Sequence, residues 1–167
     1  MRGRRGTAMR RVLIRTVVAA LAGMQCACGP GREVPEEEVY SVVLAEVAAR
    51  LDLAPPIFVH PAKARVDRTA DGNQYAMRDF LPFDTAEIRG AVRRNPETYR
   101  VCELNPAGAC LAPQHGQSVV LSEVLDEGRN GGLVLVMVSD RSSAGRAQRF
   151  YAVRVKGGSV VRFEEIE

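Results

Sequence analysis

The chain of 167 residues is 46% hydrophobic, 26% charged and 5% aromatic, and it has no Trp. That length and apolar fraction suit one domain with its own core, and they exclude a disordered chain, a collagen-like repeat and a polytopic membrane protein. The formal net charge of +3 divides unevenly: all six charges in residues 1–28 are Arg, which leaves 17 bases against 20 acids in the remainder.

The basic character therefore belongs to the first segment alone. Arg2, Arg4, Arg5, Arg10, Arg11 and Arg15 surround or precede the apolar stretches Val12–Ile14 and Thr16–Met24. A positive region running into a short apolar one has the layout of a secretory signal peptide, and it argues against a nucleic-acid-binding arm. A bilayer span needs about 20 apolar residues, more than this stretch offers. Translation could start at Met1 or at Met9, because Met9-Arg10-Arg11 also makes a compact positive region. Leu21-Ala22-Gly23 resembles the lipobox of bacterial lipoproteins, but Met24 stands where the lipidated Cys belongs. Cys26 and Cys28 are the candidate acceptors, while Ala20-Leu21-Ala22 offers ordinary cleavage. Arg10-Arg11 gives a partial likeness to a twin-Arg export signal. Lipid anchoring and plain secretion both stay open. Residues 1–28 are read as an export segment, 29–34 as a tether and 35–167 as a single domain.

Pro35-Glu36-Glu37-Glu38 opens a helix, since Pro suits the first turn and acids favour the positive end of the dipole. Tyr40, Val43, Leu44, Val47 and Leu51 follow at helical spacing and give it one apolar face. Pro55-Pro56 ends it, and Ile57–His60 is a short strand candidate. Residues 62–79 are polar and irregular, with a turn at Asp71-Gly72-Asn73. Asp84-Thr85-Ala86-Glu87 has the form of a helix start, so a second, short helix is expected to about Arg94, where Asn95-Pro96 stops it. From Ser118 the pattern turns to β-formers with period two. Val119–Leu121, Leu133–Val138, Phe150–Val155 and Val160–Ile166 are four expected strands, and Gly157-Gly158 forms a hairpin turn. The expected fold is α+β: an N-terminal amphipathic helix packed on a C-terminal four-stranded antiparallel β-meander, plus the short second helix.

The run Leu121–Leu125, Leu133–Val138, Phe150–Val153 and Lys156–Val160 resembles a recurrent plan in small, uncharacterised exported bacterial proteins and lipoproteins with a C-terminal antiparallel meander. In that plan a final Gly-x-Trp hairpin follows a Tyr-bearing strand; here Val160 replaces the Trp. The resemblance covers residues 119–163. It implies an envelope location and no catalytic residue.

Cys102 and Cys110 are the two cysteines outside the export segment, and an oxidising compartment would join them in a disulfide. The competing reading is a metal site of Cys102, Cys110 and His115 with Glu103, although zinc sites usually pair cysteines more tightly. His60 and His115 are the chain's two histidines, each a general-base or ligand candidate and each equally at home as a hydrogen-bonded loop residue. Asp67 to Gly72 reproduces the first half of a calcium loop, with Asp67 and Asp71 as oxygen donors. Arg78, however, occupies the twelfth position, where a bidentate acid is required. Arg141, Arg146, Arg149 and Arg154 fall in or beside one hairpin and could form an anion-facing edge.

No serine-hydrolase elbow or phosphate loop is present. These residues favour a noncatalytic exported envelope module that needs no cofactor. Its partner would be an envelope protein or a small ligand, with no nucleic acid, and it would meet the membrane only through an N-terminal lipid. The alternative is a small envelope enzyme using His60 and His115 with loop carboxylates such as Asp71.

Overall fold

Helix α1 spans Glu36–Arg50, and its sequence explains both of its ends. Pro35 caps the start with φ at −56°, and Glu36, Glu37 and Glu38 fill the first turn, where the helix dipole favours negative charge. At the far end Leu51 N–H bonds to Val47 O at 3.1 Å and Leu53 N–H reaches back to Ala48 O at 3.0 Å. Asp52 lies between them in the left-handed region, at φ +49°. This is a Schellman-type cap with aspartate in the position that glycine usually takes. The computed structural model describes residues 34–68, 75–80, 86–111, 116–128, 131–142 and 145–166. The segment expected to direct export, with Met1, Met9, Cys26 and Cys28, lies outside the described residues, as does the expected Asp71–Asn73 turn.

The chain then forms β1 (Ile57–Val59), β2 (Ala64–Arg68), β3 (Tyr75–Phe80), α2 (Ala86–Arg93), β4 (Tyr99–Val101), β5 (Gln117–Leu121), β6 (Leu125–Gly128), β7 (Gly131–Ser142), β8 (Gly145–Lys156) and β9 (Ser159–Ile166). Among the described residues seven strands make one sheet in the order β4-β1-β5-β7-β8-β9, with β6 also paired to β7, while β2 and β3 form a separate two-stranded ribbon. The expected four-stranded antiparallel meander is therefore incorrect. The antiparallel segments are present, but β1 lies parallel to both β4 and β5, so the sheet is mixed. Two three-residue strands, β1 and β4, extend it. Parallel neighbours need a crossover, and α2 supplies the one from β1 to β4.

The supposedly irregular stretch 62–79 also proves ordered in part. Its two arms pair antiparallel, from Ala64 opposite Phe80 to Arg68 opposite Tyr75. Strands β5 and β6 lie along the same edge of β7, Val120 opposite Met137 and Leu125 opposite Leu133. Ser122 joins them: its N–H donates to Leu135 O and its Oγ accepts from Leu135 N–H, both at 2.9 Å.

Both faces of the sheet are used. Val134, Val136 and Val138 of β7 meet Tyr151, Val153 and Val155 of β8 beneath α1 and α2, which contribute Tyr40, Val43, Leu44, Val47, Ile88 and Val92 to the same core. On the reverse face Leu133, Leu135 and Ala152 pack with Val66 and Met77 of the ribbon. A strand covered twice has no reason to alternate, and this is why Leu133–Val138 is apolar throughout. Gly132 is buried in β7, where an added Cβ would lie 2.7 Å from Val124 Cγ1.

Asp52→Gly relieves the left-handed strain at the end of α1. It is expected to raise stability by about 0.5–1 kcal/mol and the melting temperature by about 2–4 °C, measured by thermal unfolding.

Candidate functional site

β1 delivers His60 into the interior, where the residue is 2% exposed. Its N–H donates to Val119 O at 2.8 Å. Nε2 lies 3.0 Å from Gly108 O, and Nδ1 lies 3.1 Å from both the N–H and the C=O of Ala62. With the proton on Nε2, the ring donates to Gly108 and accepts from Ala62. The ring also stacks on Phe80, with centroids 3.9 Å apart and planes inclined by 10°. Both nitrogens are thus spent on backbone, and His60 acts as a clamp rather than a base.

What it clamps is the loop closed by the Cys102–Cys110 disulfide, whose Cα atoms are 5.6 Å apart. Cys102 N–H donates to Val59 O at 2.9 Å, which roots the loop on β1. Inside it the Asn105 carboxamide oxygen accepts from Ala107 N–H and Ala109 N–H, both at 2.9 Å. Gly108 sits at φ +77°, a conformation that glycine adopts without strain. The His60 ring and the Asn105 carboxamide oxygen are thus engaged by backbone, while the Glu103 side chain is exposed. Leu104 is 40% and Leu111 50% exposed, and Phe80 on the clamp is 40% exposed.

A second convergence went unseen in the sequence. Lys63, just ahead of β2, is buried with its Nζ 2.5 Å from Glu36 Oε2 and 3.3 Å from Glu87 Oε2. It lies 5.6 Å above the centroid of the Tyr40 ring. Burial acts to lower the lysine pKa, but the hydrogen bond to Glu36 and the charges of Glu36 and Glu87 outweigh it and raise the value. A lysine held as ammonium is no nucleophile. Tyr40 is also pushed well above the usual phenol range, by burial first and then by Glu36, Glu87 and Glu123, and its hydroxyl donates to Ser122 O at 3.0 Å. The cluster is a neutralised junction of two helix N-termini.

The remaining candidates do not assemble. Asp67 is exposed and faces Arg78 at 3.5 Å, so the cation at the twelfth position of the supposed calcium loop pairs with the first ligand. Asp71 and His115 lie outside the described residues, so neither the enzyme team nor the cysteine–histidine metal set can be drawn. With Cys102 and Cys110 oxidised, that set also lacks its thiolates. Among the described residues no three His, Cys, Asp or Glu side chains converge as a metal-binding group. Of the hairpin arginines, Arg154 is held by Glu127 at 3.0 Å and Glu164 at 3.2 Å, and Arg149 is exposed. Arg141 and Arg146 occupy opposite positions in the backbone register of β7 and β8. Two shallow, half-open depressions lie along β8 and β9: one of about 490 Å³ beside Glu127 and Arg154, the other of about 450 Å³ beside Phe150 and Ile166. No helix among the described residues is long and apolar enough to cross a membrane. Comparison of the chain with protein-family models, curated proteins and solved structures finds no match.

His60→Phe keeps the stacking but strands Gly108 O and Ala62 N–H. It is expected to lower stability by about 2–4 kcal/mol in urea unfolding; a loss below about 0.5 kcal/mol would show that the clamp is dispensable.

Alkaline pH probes the junction. Lys63 and Tyr40 hold their protons more tightly folded than unfolded. Their contribution is therefore intact below their ordinary values, near pH 10, and fades as pH rises through the elevated folded values. Stability should hold steady to about pH 9 and fall above about pH 10. Tyr40→Phe costs about 1 kcal/mol at pH 8 and flattens the alkaline slope by up to one proton, leaving the part due to Lys63 and to Tyr99 and Tyr151, which burial also raises.

Proposed function

We propose that this chain is a noncatalytic module of the cell envelope, exported by its Arg-headed N-terminal segment, and that the rim of its disulfide-closed loop binds another envelope protein. The observation that carries this reading lies around residues 102–110: the His60 ring and the Asn105 carboxamide oxygen are engaged by backbone, while Leu104, Leu111 and the adjacent Phe80 face solvent. A loop fixed by a disulfide, an Asn-centred turn and a histidine clamp loses little conformational freedom on binding, so its exposed apolar groups contribute more to affinity. The disulfide itself fits an oxidising compartment. The depressions along β8 and β9 are too open to enclose a small ligand, which favours a protein partner. Against the enzyme alternative stands His60, whose ring nitrogens are both engaged.

A photo-crosslinking residue at Leu104 or Leu111, in cells of origin, is expected to give a discrete adduct in the envelope fraction, and the exposed control position Glu97 to give none. Recovery of the chain in the cytosol with its first residues intact and Cys102 and Cys110 reduced overturns export. Equal labelling at all three positions, or none at any, overturns the loop as the contact.

A further inference from the structure

The two ends of the sheet differ. β4 offers three residues of edge, whereas β9 offers eight, and among the described residues no strand pairs with its outer side. Natural edge strands of that length are usually guarded by charged side chains or by a bulge. The bulge is here, near the start: Arg154 pairs with Arg162 and Val155 with Val160, leaving Val161 unpaired and 61% exposed. The charges are here as well, and they are of both signs. Arg162, Glu164 and Glu165 flank Phe163.

Their order restricts what the edge can accept. In an antiparallel pair, residues directly opposite point to the same face, and faces alternate along each strand. Two copies related by a two-fold axis normal to the sheet must therefore place one residue opposite itself. An axis beside Arg162 opposes two guanidinium groups, and one beside Glu164 or Glu165 opposes two carboxylates. An axis beside Phe163 alone matches the charges: Arg162 of each copy faces Glu164 of the other, both on the reverse face of the sheet. Phe163 would meet its own counterpart on the helix-covered face, where it already packs 5.1 Å from Tyr151. The ion network on the reverse face, from Glu127 through Arg154 to Glu164 and Arg162, would continue into the second copy.

We propose that β9 is a homodimerisation edge, pairing antiparallel with β9 of a second copy about an axis beside Phe163, with Arg162 and Glu164 setting the register. This inference is independent of the loop contact above.

Sedimentation velocity on the full chain tests it through the charges. The unaltered protein is expected to show a concentration-dependent dimer. Arg162→Glu alone and Glu164→Arg alone each place like charges opposite one another twice, and each should weaken the dimer about tenfold or more. An equimolar mixture of the two variants restores opposite charges at both positions and should dimerise again, as should the double exchange within one chain. Melting temperatures of both variants guard against simple misfolding, and if either fails to fold the double exchange carries the test. A chain that stays monomeric at about 200 µM, where even weak specific pairing populates, overturns the proposal. So does a dimer indifferent to the single exchanges, or a mixture that does not recover.

Discussion

The backbone of Ile57–Val59 is hydrogen-bonded on both flanks, and the route of the chain follows from holding those three residues in place. On one side Ile57 N–H meets Thr98 O and Cys102 N–H meets Val59 O; on the other His60 N–H meets Val119 O. Because both neighbours run parallel to β1, neither can be reached by a tight turn. The chain must leave the sheet and return twice, once through α2 and once through the disulfide-closed loop. Ile57 and Val59 are fully buried beneath the helices, so the root of that loop cannot shift without opening the core. The disulfide then fixes the loop's base and His60 fixes its Gly108 side. A contact surface on such a loop is preorganised by the same bonds that hold the sheet together.

The junction at Lys63 shows a related economy of charge. Two helices that start near each other bring two positive dipole ends and two first-turn glutamates, Glu36 and Glu87, into one place. The glutamates answer the dipoles but repel each other, and a cation between them resolves the conflict. In a chain with 21 Arg and 2 Lys, the choice of lysine here has a steric reason. A compact ammonium fits between two carboxylates above the Tyr40 ring, whereas a planar guanidinium would demand a fork-shaped partner on one side. At Gly90 an added Cβ would run into the Glu37 carboxylate, so the absence of a side chain there also helps α2 to sit beside the start of α1.

How much of this was legible depended on how many residues carried each signal. Both helices and the segments that became β5, β7, β8 and β9 repeat their pattern over enough residues for periodicity to register. Three-residue strands do not: Ile57–Val59 was visible as an apolar run, but Tyr99–Val101 has a single exposed residue between two apolar ones and was hidden between Pro96 and Cys102. The ribbon β2–β3 reads as irregular because few of its residues, among them Ala64, Val66 and Met77, face the core, and they do not alternate over a long run. Parallel order leaves no local trace at all, since it is a property of the crossovers rather than of any strand. The cysteine pair is readable from the count and from the export-like layout of the first residues. The role of His60 is not, because its partner Gly108 lies 48 residues on. Lys63 did carry a signal, as a rare lysine in an arginine-rich chain directly after a buried strand, but rarity says nothing about partners.

The loop and the free edge sit at opposite ends of the same sheet, and this bears on what a dimer through β9 would do. The disulfide-closed loop leaves from β4, the far edge in the order β4-β1-β5-β7-β8-β9. Joining two copies edge to edge produces a continuous sheet with one loop at each extremity, separated by eleven strand spacings, or about 50 Å. Each loop alone exposes a few apolar side chains, too little area for a tight complex with a partner. Two loops held at a fixed separation by a rigid sheet would act on a partner array, or on two partners, with an effective concentration set by geometry rather than by loop affinity. A weak contact at the rim and a specific contact at the edge would then be complementary: the edge would supply the valency that the small rim needs, and the unbroken ladder between them would keep the spacing constant.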